Sequence, residues 1–232
     1  MDVQASGGQE RLLRALAEQL KNPIMHIARA AELARLTDEP VDSRVIEYTA
    51  DMTLQLIDSY LLSVQLQAQP SLDLEPMSVQ AGLCDVAQRL DGLAKQYDCQ
   101  LHVHNTARQG LAMGHSAGFA AAFMSLGYAF IVSKPPQAAT HRVVLGVHRS
   151  GTGLVAGVYG TQPFGGDSLR RARLLYGRAL SVFPKNLAGN GASVFVADAL
   201  LKVMSTPLRS ARHASLPGLA ATLTPSKQLQ LV

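Results

Sequence analysis

The sequence predicts an α+β protein: an N-terminal two-helix hairpin that forms a four-helix bundle on dimerisation, followed by an α/β sandwich. Three observations carry this. Before Pro70 two long apolar stripes recur at alternating spacings of three and four, the period of an amphipathic helix. After Pro70 the chain changes to short strand-like and helix-like segments in alternation, the pattern of a layered sheet-and-helix unit. With 47% hydrophobic and 16% charged residues over 232 positions, the composition is that of a packed soluble protein with room for one large domain or two small ones.

The hairpin is expected over residues 8–69. Its first helix carries Leu13, Leu16, Leu20, Ile24, Ile27, Ala31 and Ala34. Pro23 lies inside that helix, removes a backbone donor and is expected to kink or loosen it one turn upstream. Thr37-Asp38-Glu39-Pro40 makes the break, and Asp42 or Ser43 can accept a hydrogen bond from a free amide at the start of the second helix. The second stripe is Ile46, Ala50, Leu54, Ile57, Leu61 and Val64. Two stripes of this length cannot both be buried within one hairpin, so a homodimer through residues 8–69 is expected.

The sheet domain is expected over residues 71–225. Leu72, Leu74 and Met77 suggest a short strand, and Ser78 caps a helix holding Leu83, Val86, Leu90 and Leu93. Strands follow at Gln100–Asn105 and Gly110–Met113. An apolar helix spans about Ser116–Ser133, with Ser116 as its expected cap. A hairpin pairs Arg142–His148 with Leu154–Tyr159, turning at Arg149–Gly153. Gly160–Ala188 reads as irregular with one short basic helix; a helix near Ser193–Met204 and strands near Leu208–Arg212 and Leu219–Leu223 close the domain. The helices should cover one face of a mixed sheet.

Several function classes find little support. Leu111–Ser133 has the length of a membrane span, but its glycines and serines dilute its hydropathy and no aromatic anchors flank it, so no membrane span is expected. The polar start at Met1–Arg11 argues against a signal peptide. Cys84 and Cys99 form no ligand-spaced cluster, which suits a reducing compartment, here the cytoplasm. His102-x-His104 places two imidazoles on one strand face with no further ligand at suitable spacing, so no metal site is expected. Gly114-His115-Ser116-Ala117-Gly118 imitates a serine-hydrolase elbow only loosely. The net charge of +4 is scattered apart from Arg170, Arg171, Arg173 and Arg178, and aromatic content is 5%, so no nucleic-acid partner is expected.

The order of elements, together with LDLEPMSVQAGLCDVAQRLDGLAKQYDCQLHV over 72–103, resembles the core of bacterial sensor histidine kinases: a dimerisation and phosphotransfer hairpin joined to a histidine-kinase-type ATPase domain. The resemblance runs from Gln9 to about Leu223 and rests on pattern more than on invariant residues. Its catalytic motifs are degenerate. Where the family carries His-Glu-Leu-Arg-Thr-Pro, this chain has Glu18, Gln19, Leu20, Lys21, Asn22 and Pro23, and a carboxylate at Glu18 lacks the nitrogen that attacks a phosphoryl group. His26 is the nearest substitute. It is two turns along and about 80° around the helix.

The family's Asn-Leu-Leu-x-Asn-Ala motif, whose second Asn helps hold Mg²⁺, matches Met124–Ala129 and places Tyr128 at that Asn. A neutral phenol is a weak ligand for a hard cation. The adenine-reading Asp-x-Gly-x-Gly is replaced by Gly160-Thr161-Gln162-Pro163-Phe164, in which Thr161 or Gln162 could still hydrogen-bond a base. The phosphate-cradling motif survives in part as Gly189, Asn190, Gly191, Ala192 and Ser193, expected as a turn ahead of a helix whose start could hold an anion.

The resemblance therefore implies a pseudokinase without autokinase activity, with no cofactor expected and only weak binding of ATP and Mg²⁺ if any. It would be a dimeric binding module for a response regulator or a partner kinase, with contacts around Glu18, Lys21, Asn22, Met25 and Arg29. Two alternatives stand beside it: a histidine phosphotransferase using His26, and a nucleotide-binding sensor kinase with divergent motifs.

Overall fold

The computed structural model describes residues 2–37, 43–69, 71–105, 110–134, 140–151, 153–161, 169–170, 172–173 and 188–226. In chain order the elements are α1 (Asp2–Thr37), α2 (Ser43–Ala68), β1 (Glu75–Ser78), α3 (Val79–Gln96), β2 (Cys99–Asn105), β3 (Leu111–Gly114), α4 (Ser116–Val132), β4 (His141–Ser150), β5 (Gly153–Gly160), α5 (Ala188–Val203), β6 (Arg209–His213) and β7 (Leu216–Leu223).

Strands β2, β4, β5, β7 and β6 form one sheet in that order, with β2 parallel to β4 and the remaining pairs antiparallel. The first strand after Pro70 is Glu75–Ser78 rather than a run starting at Leu72, and it pairs with β3 in a separate two-stranded sheet. Val143, Leu145, Val147, Leu154, Ala156, Val158, Leu219, Ala221 and Leu223 turn one face of the large sheet toward the helices. Alternation along the strands sends Val144, Val155, Tyr159 and Ala220 to the other face, where they make a small cluster of their own.

Helix α3 starts where the sequence places it, because the Ser78 side chain accepts a hydrogen bond from the Ala81 amide at 3.2 Å. Helix α4 corrects the expectation for Ser116. Its cap is His115, whose Nδ1 accepts from the Gly118 amide at 3.0 Å, and Ser116 is the first helical residue. The helix is almost wholly apolar and is buried continuously from Ala122 to Ile131, as befits one packed between a sheet and further helices. Among the described residues no helix is long and apolar enough to cross a membrane.

Helix α1 runs through Pro23 as one helix, with the proline buried. The hairpin packs against α4 and α5, so Ala15, Met52, Leu56, Tyr60 and Leu66 belong to the same apolar cluster as Leu83 and Phe123 of the sheet domain. That side of α2 is not the stripe read from the sequence. Met52, Leu56, Ser59, Ser63 and Leu66 are buried, whereas Leu54 and Leu61 of the expected stripe are exposed.

Candidate functional site

Where α1, α2, α3 and α4 meet, Tyr128 is 3% exposed and stands beside Pro23, His26, Met52, Leu93 and Tyr97. Its sequence position brings it here: α4 turns Tyr128 away from the sheet and toward the hairpin, which lies across it. The space left between these side chains is about 10 Å³, the limit for a single water molecule. Burial pushes the Tyr128 phenol well above the ordinary tyrosine range, so it is neutral at any physiological pH. As a bed for a magnesium nucleotide this is a poor fit. Tyr128 offers only a neutral phenol, a weak ligand for a hard cation, and the place beside it is taken by the hairpin.

His26 is exposed on α1, and its Nε2 lies 3.0 Å from the Tyr97 hydroxyl, with the two rings edge to face at 6.0 Å. Whichever way that hydrogen bond runs, Tyr97 occupies the nitrogen a phosphoryl acceptor would use, so transfer to Nε2 needs the phenol to yield. Tyr97 itself was not singled out by sequence reasoning, because no local pattern links it to a helix 71 residues earlier. Glu18, Gln19 and Asn22 lie on α1, but their side chains fall outside the described residues.

The remaining candidates scatter. Thr161 follows β5 directly: its amide donates to the Arg142 carbonyl at 3.0 Å and its hydroxyl accepts from the Arg142 amide at 3.2 Å, which closes the β4–β5 ladder. Gln162 falls outside the described residues. Gly189, Gly191 and Ser193 do not form a turn ahead of a helix, since α5 already begins at Ala188 and all three lie within it. Gly191 is buried, and the Ser193 hydroxyl is buried with no hydrogen-bond partner. The physical reason is packing: Ala192, Val194, Val196 and Ala197 extend the apolar face of α5 against α1 and α4, and that burial outweighs the cost of two helical glycines.

A second hollow of about 240 Å³ opens between α2, α3 and α4, with Gln55, Asp58 and Arg89 on its polar side. It falls below the roughly 300 Å³ at which small-molecule sites begin. Among the described residues no group of three His, Cys, Asp or Glu is placed to hold a metal ion.

No family model matches the sequence, and no curated protein matches it either. Solved structures do. The histidine kinase AdeS of Acinetobacter baumannii superposes with a TM-score of 0.53 at 9% identity, covering 88% of this chain and 96% of that one. The catalytic domain of the histidine kinase ThkA gives 0.52 at 6% identity, covering 66% and 96%. Full-length ShkA in complex with AMPPNP gives 0.54 at 16% identity, covering 79% of this chain and 38% of ShkA. At such identities the likeness is one of fold, and it establishes that these helices and mixed sheet have the architecture of the histidine-kinase ATPase type.

Proposed function

We propose that the chain is a catalytically impaired histidine-kinase-like protein that acts in two-component signalling as a dimeric docking module for a response regulator or a partner kinase. One observation carries this reading: Leu13, Ile24, Met25, Leu33, Leu36, Leu54 and Leu61 are the exposed large hydrophobic residues among those described, and all lie on α1 and α2. Apolar surface confined to one hairpin is surface kept for a partner helix. The decayed motifs and the packed surroundings of Tyr128 add the second half of the argument, that the domain behind the hairpin no longer works on a nucleotide.

The test is a thermal melt with and without millimolar Mg-ATP, run beside incubation with labelled ATP. A ligand that binds only the native state must raise the melting temperature. The expected result is an unchanged melt and no label on the protein. A rise of several degrees, or any incorporated phosphate, overturns the proposal.

The exposure of His26 favours one further reading, a histidine phosphotransferase. In that case a phosphorylated response regulator would pass an acid-labile phosphoryl group to the chain, His26→Ala would abolish the transfer, and Tyr97→Phe would accelerate it by freeing Nε2.

A further inference from the structure

The outer face of the five-stranded sheet has a chemistry that the kinase-like reading does not use. From Cys99 to Val232 the only acidic residues are Asp167 and Asp198. Asp198 belongs to α5 on the helical side, where Arg173 and Lys202 hold it. The five strands contain no Asp or Glu at all. By alternation with the core positions, the ionisable side chains on the outer face are His102 and His104 from β2, Arg142 and His148 from β4, Tyr159 from β5, and Arg209 and His213 from β6. Strand β7 adds none.

These groups converge because the sheet is small at its centre. One cross-strand row reads His104, Gly146, Gly157, Ala220, Arg209. A Cβ on Gly157 would come within 2.5 Å of the Tyr159 hydroxyl, and one on Gly146 within 3.2 Å of the His213 ring. Both rings therefore lie flat over the glycines. In consequence His213, from the far edge strand, reaches His104 at 5.7 Å, His148 at 5.4 Å and Tyr159 at 5.1 Å between ring centroids.

Three imidazoles thus gather with no carboxylate among the described residues of this face. Eight buried side-chain polar atoms among the described residues lack a hydrogen-bond partner, and four of these sit on this face: Arg142 Nε, His148 Nδ1, the Tyr159 hydroxyl and Thr222 Oγ1. Tyr159 is 0% exposed. Unpaired polar groups are costly to bury, and the accessible charge of this face comes from the histidines and arginines around them.

We propose that this face docks a carboxylate-rich segment of a partner protein, held by Arg142 and Arg209 and by the imidazoles of His104, His148 and His213, and that His213 strengthens the grip as it takes up a proton. An acidic protein fits better than the other polyanions. The face offers no exposed aromatic side chain for base stacking, presents no helix to a groove, and exposes no large apolar side chain to enter a lipid surface. His213 starts as a neutral group, because burial first, and then His148 and His104, hold its pKa below the ordinary histidine range. An arriving carboxylate favours the protonated form, so binding and protonation are linked. Arg142 and Arg209 supply charge at every pH, and His102 completes the set of ionisable groups that face the trio.

The experiment is fluorescence anisotropy of a labelled deca-glutamate peptide titrated with the full chain at low salt. The expected result is binding that tightens about tenfold between about pH 7.5 and pH 6.0. His213→Gln flattens that dependence, Arg142→Gln with Arg209→Gln weakens binding at both pH values, and Arg89→Gln on the helical side changes nothing. A deca-lysine peptide must fail to bind, which keeps the test decisive even if a double variant does not fold. The proposal is overturned by absence of glutamate binding at both pH values, by face variants that bind like the parent, or by tighter binding of duplex DNA or phosphatidylglycerol vesicles than of the peptide.

Discussion

Burial of the imidazole holds His141 below the ordinary histidine range, even though its Nε2 lies 2.9 Å from the Phe130 carbonyl, and burial does the same for His213. A histidine whose pKa falls on folding binds protons more readily in the unfolded chain, so stability rises with pH across the interval between the two values. The stabilisation is complete above the ordinary value of about 6.5 and is lost as pH falls from there through the depressed one. Urea midpoints should therefore drop between pH 7.5 and pH 5.5, and His141→Gln should shrink that drop. Asp198 adds stability that is likewise lost as pH falls, but over the lower, carboxylate range. Burial pushes its carboxyl up, but hydrogen bonds from Arg173 and Lys202 outweigh that and leave it below the usual range. Its oxygens accept from Arg173 at 2.8 and 2.6 Å and from the Leu208 amide at 3.2 Å, tying α5 to β6 and to the segment that carries Arg173. Asp198→Asn should cost about 3 kcal/mol in chemical denaturation, since it removes one partner of a buried charged network. At this scale the sequence was partly legible. The residue types at Glu18, His26 and Tyr128 could be read directly, whereas the partnership of His26 with Tyr97 and the gathering of three histidines could not.

Local signals placed most elements well. Ser78 begins α3, Pro70 lies just beyond α2, and the hairpin of β4 and β5 turns at Gly151, whose φ of 57° suits glycine. Errors occurred where tertiary burial competed with local chemistry. The glycines at 189 and 191 read as a turn, yet α5 absorbs both because its apolar face has a core to join. The cap of α4 fell to His115 rather than Ser116 because an imidazole nitrogen accepts the Gly118 amide as well as a hydroxyl would. The turn between β6 and β7 was not legible at all. Ala214 and Ser215 both take left-handed conformations, with φ of 46° and 64°, although neither residue favours them. Replacing the pair by Ala214→Asn and Ser215→Gly should raise stability by about 1 kcal/mol, read as a higher melting temperature, because that dipeptide adopts the same turn with less strain. Gly218 behind the turn has no such freedom. A side chain there would run into the Val158 carbonyl and the Tyr159 backbone.

For the whole molecule, the hairpin and the sheet domain share one core while the hairpin keeps a second apolar side exposed. If that side is the dimer surface, Leu33→Glu with Leu54→Glu should convert a dimer to a monomer in sedimentation or light scattering while leaving the melt of the sheet domain in place, because the buried side of α2 at Met52, Leu56 and Leu66 is untouched. The sequence by itself determined the α+β class, the hairpin and the order of strands and helices along the chain. All of these depend on the period of apolar residues and on residue identity at single positions. Only the tertiary structure decided which side of α2 is buried, that the hairpin lies across Tyr128, and that His104, His148 and His213 meet on one sheet face. Those outcomes depend on which surfaces compete for the core and on how closely glycine lets strands and rings approach, quantities that belong to the packed chain rather than to any segment of it.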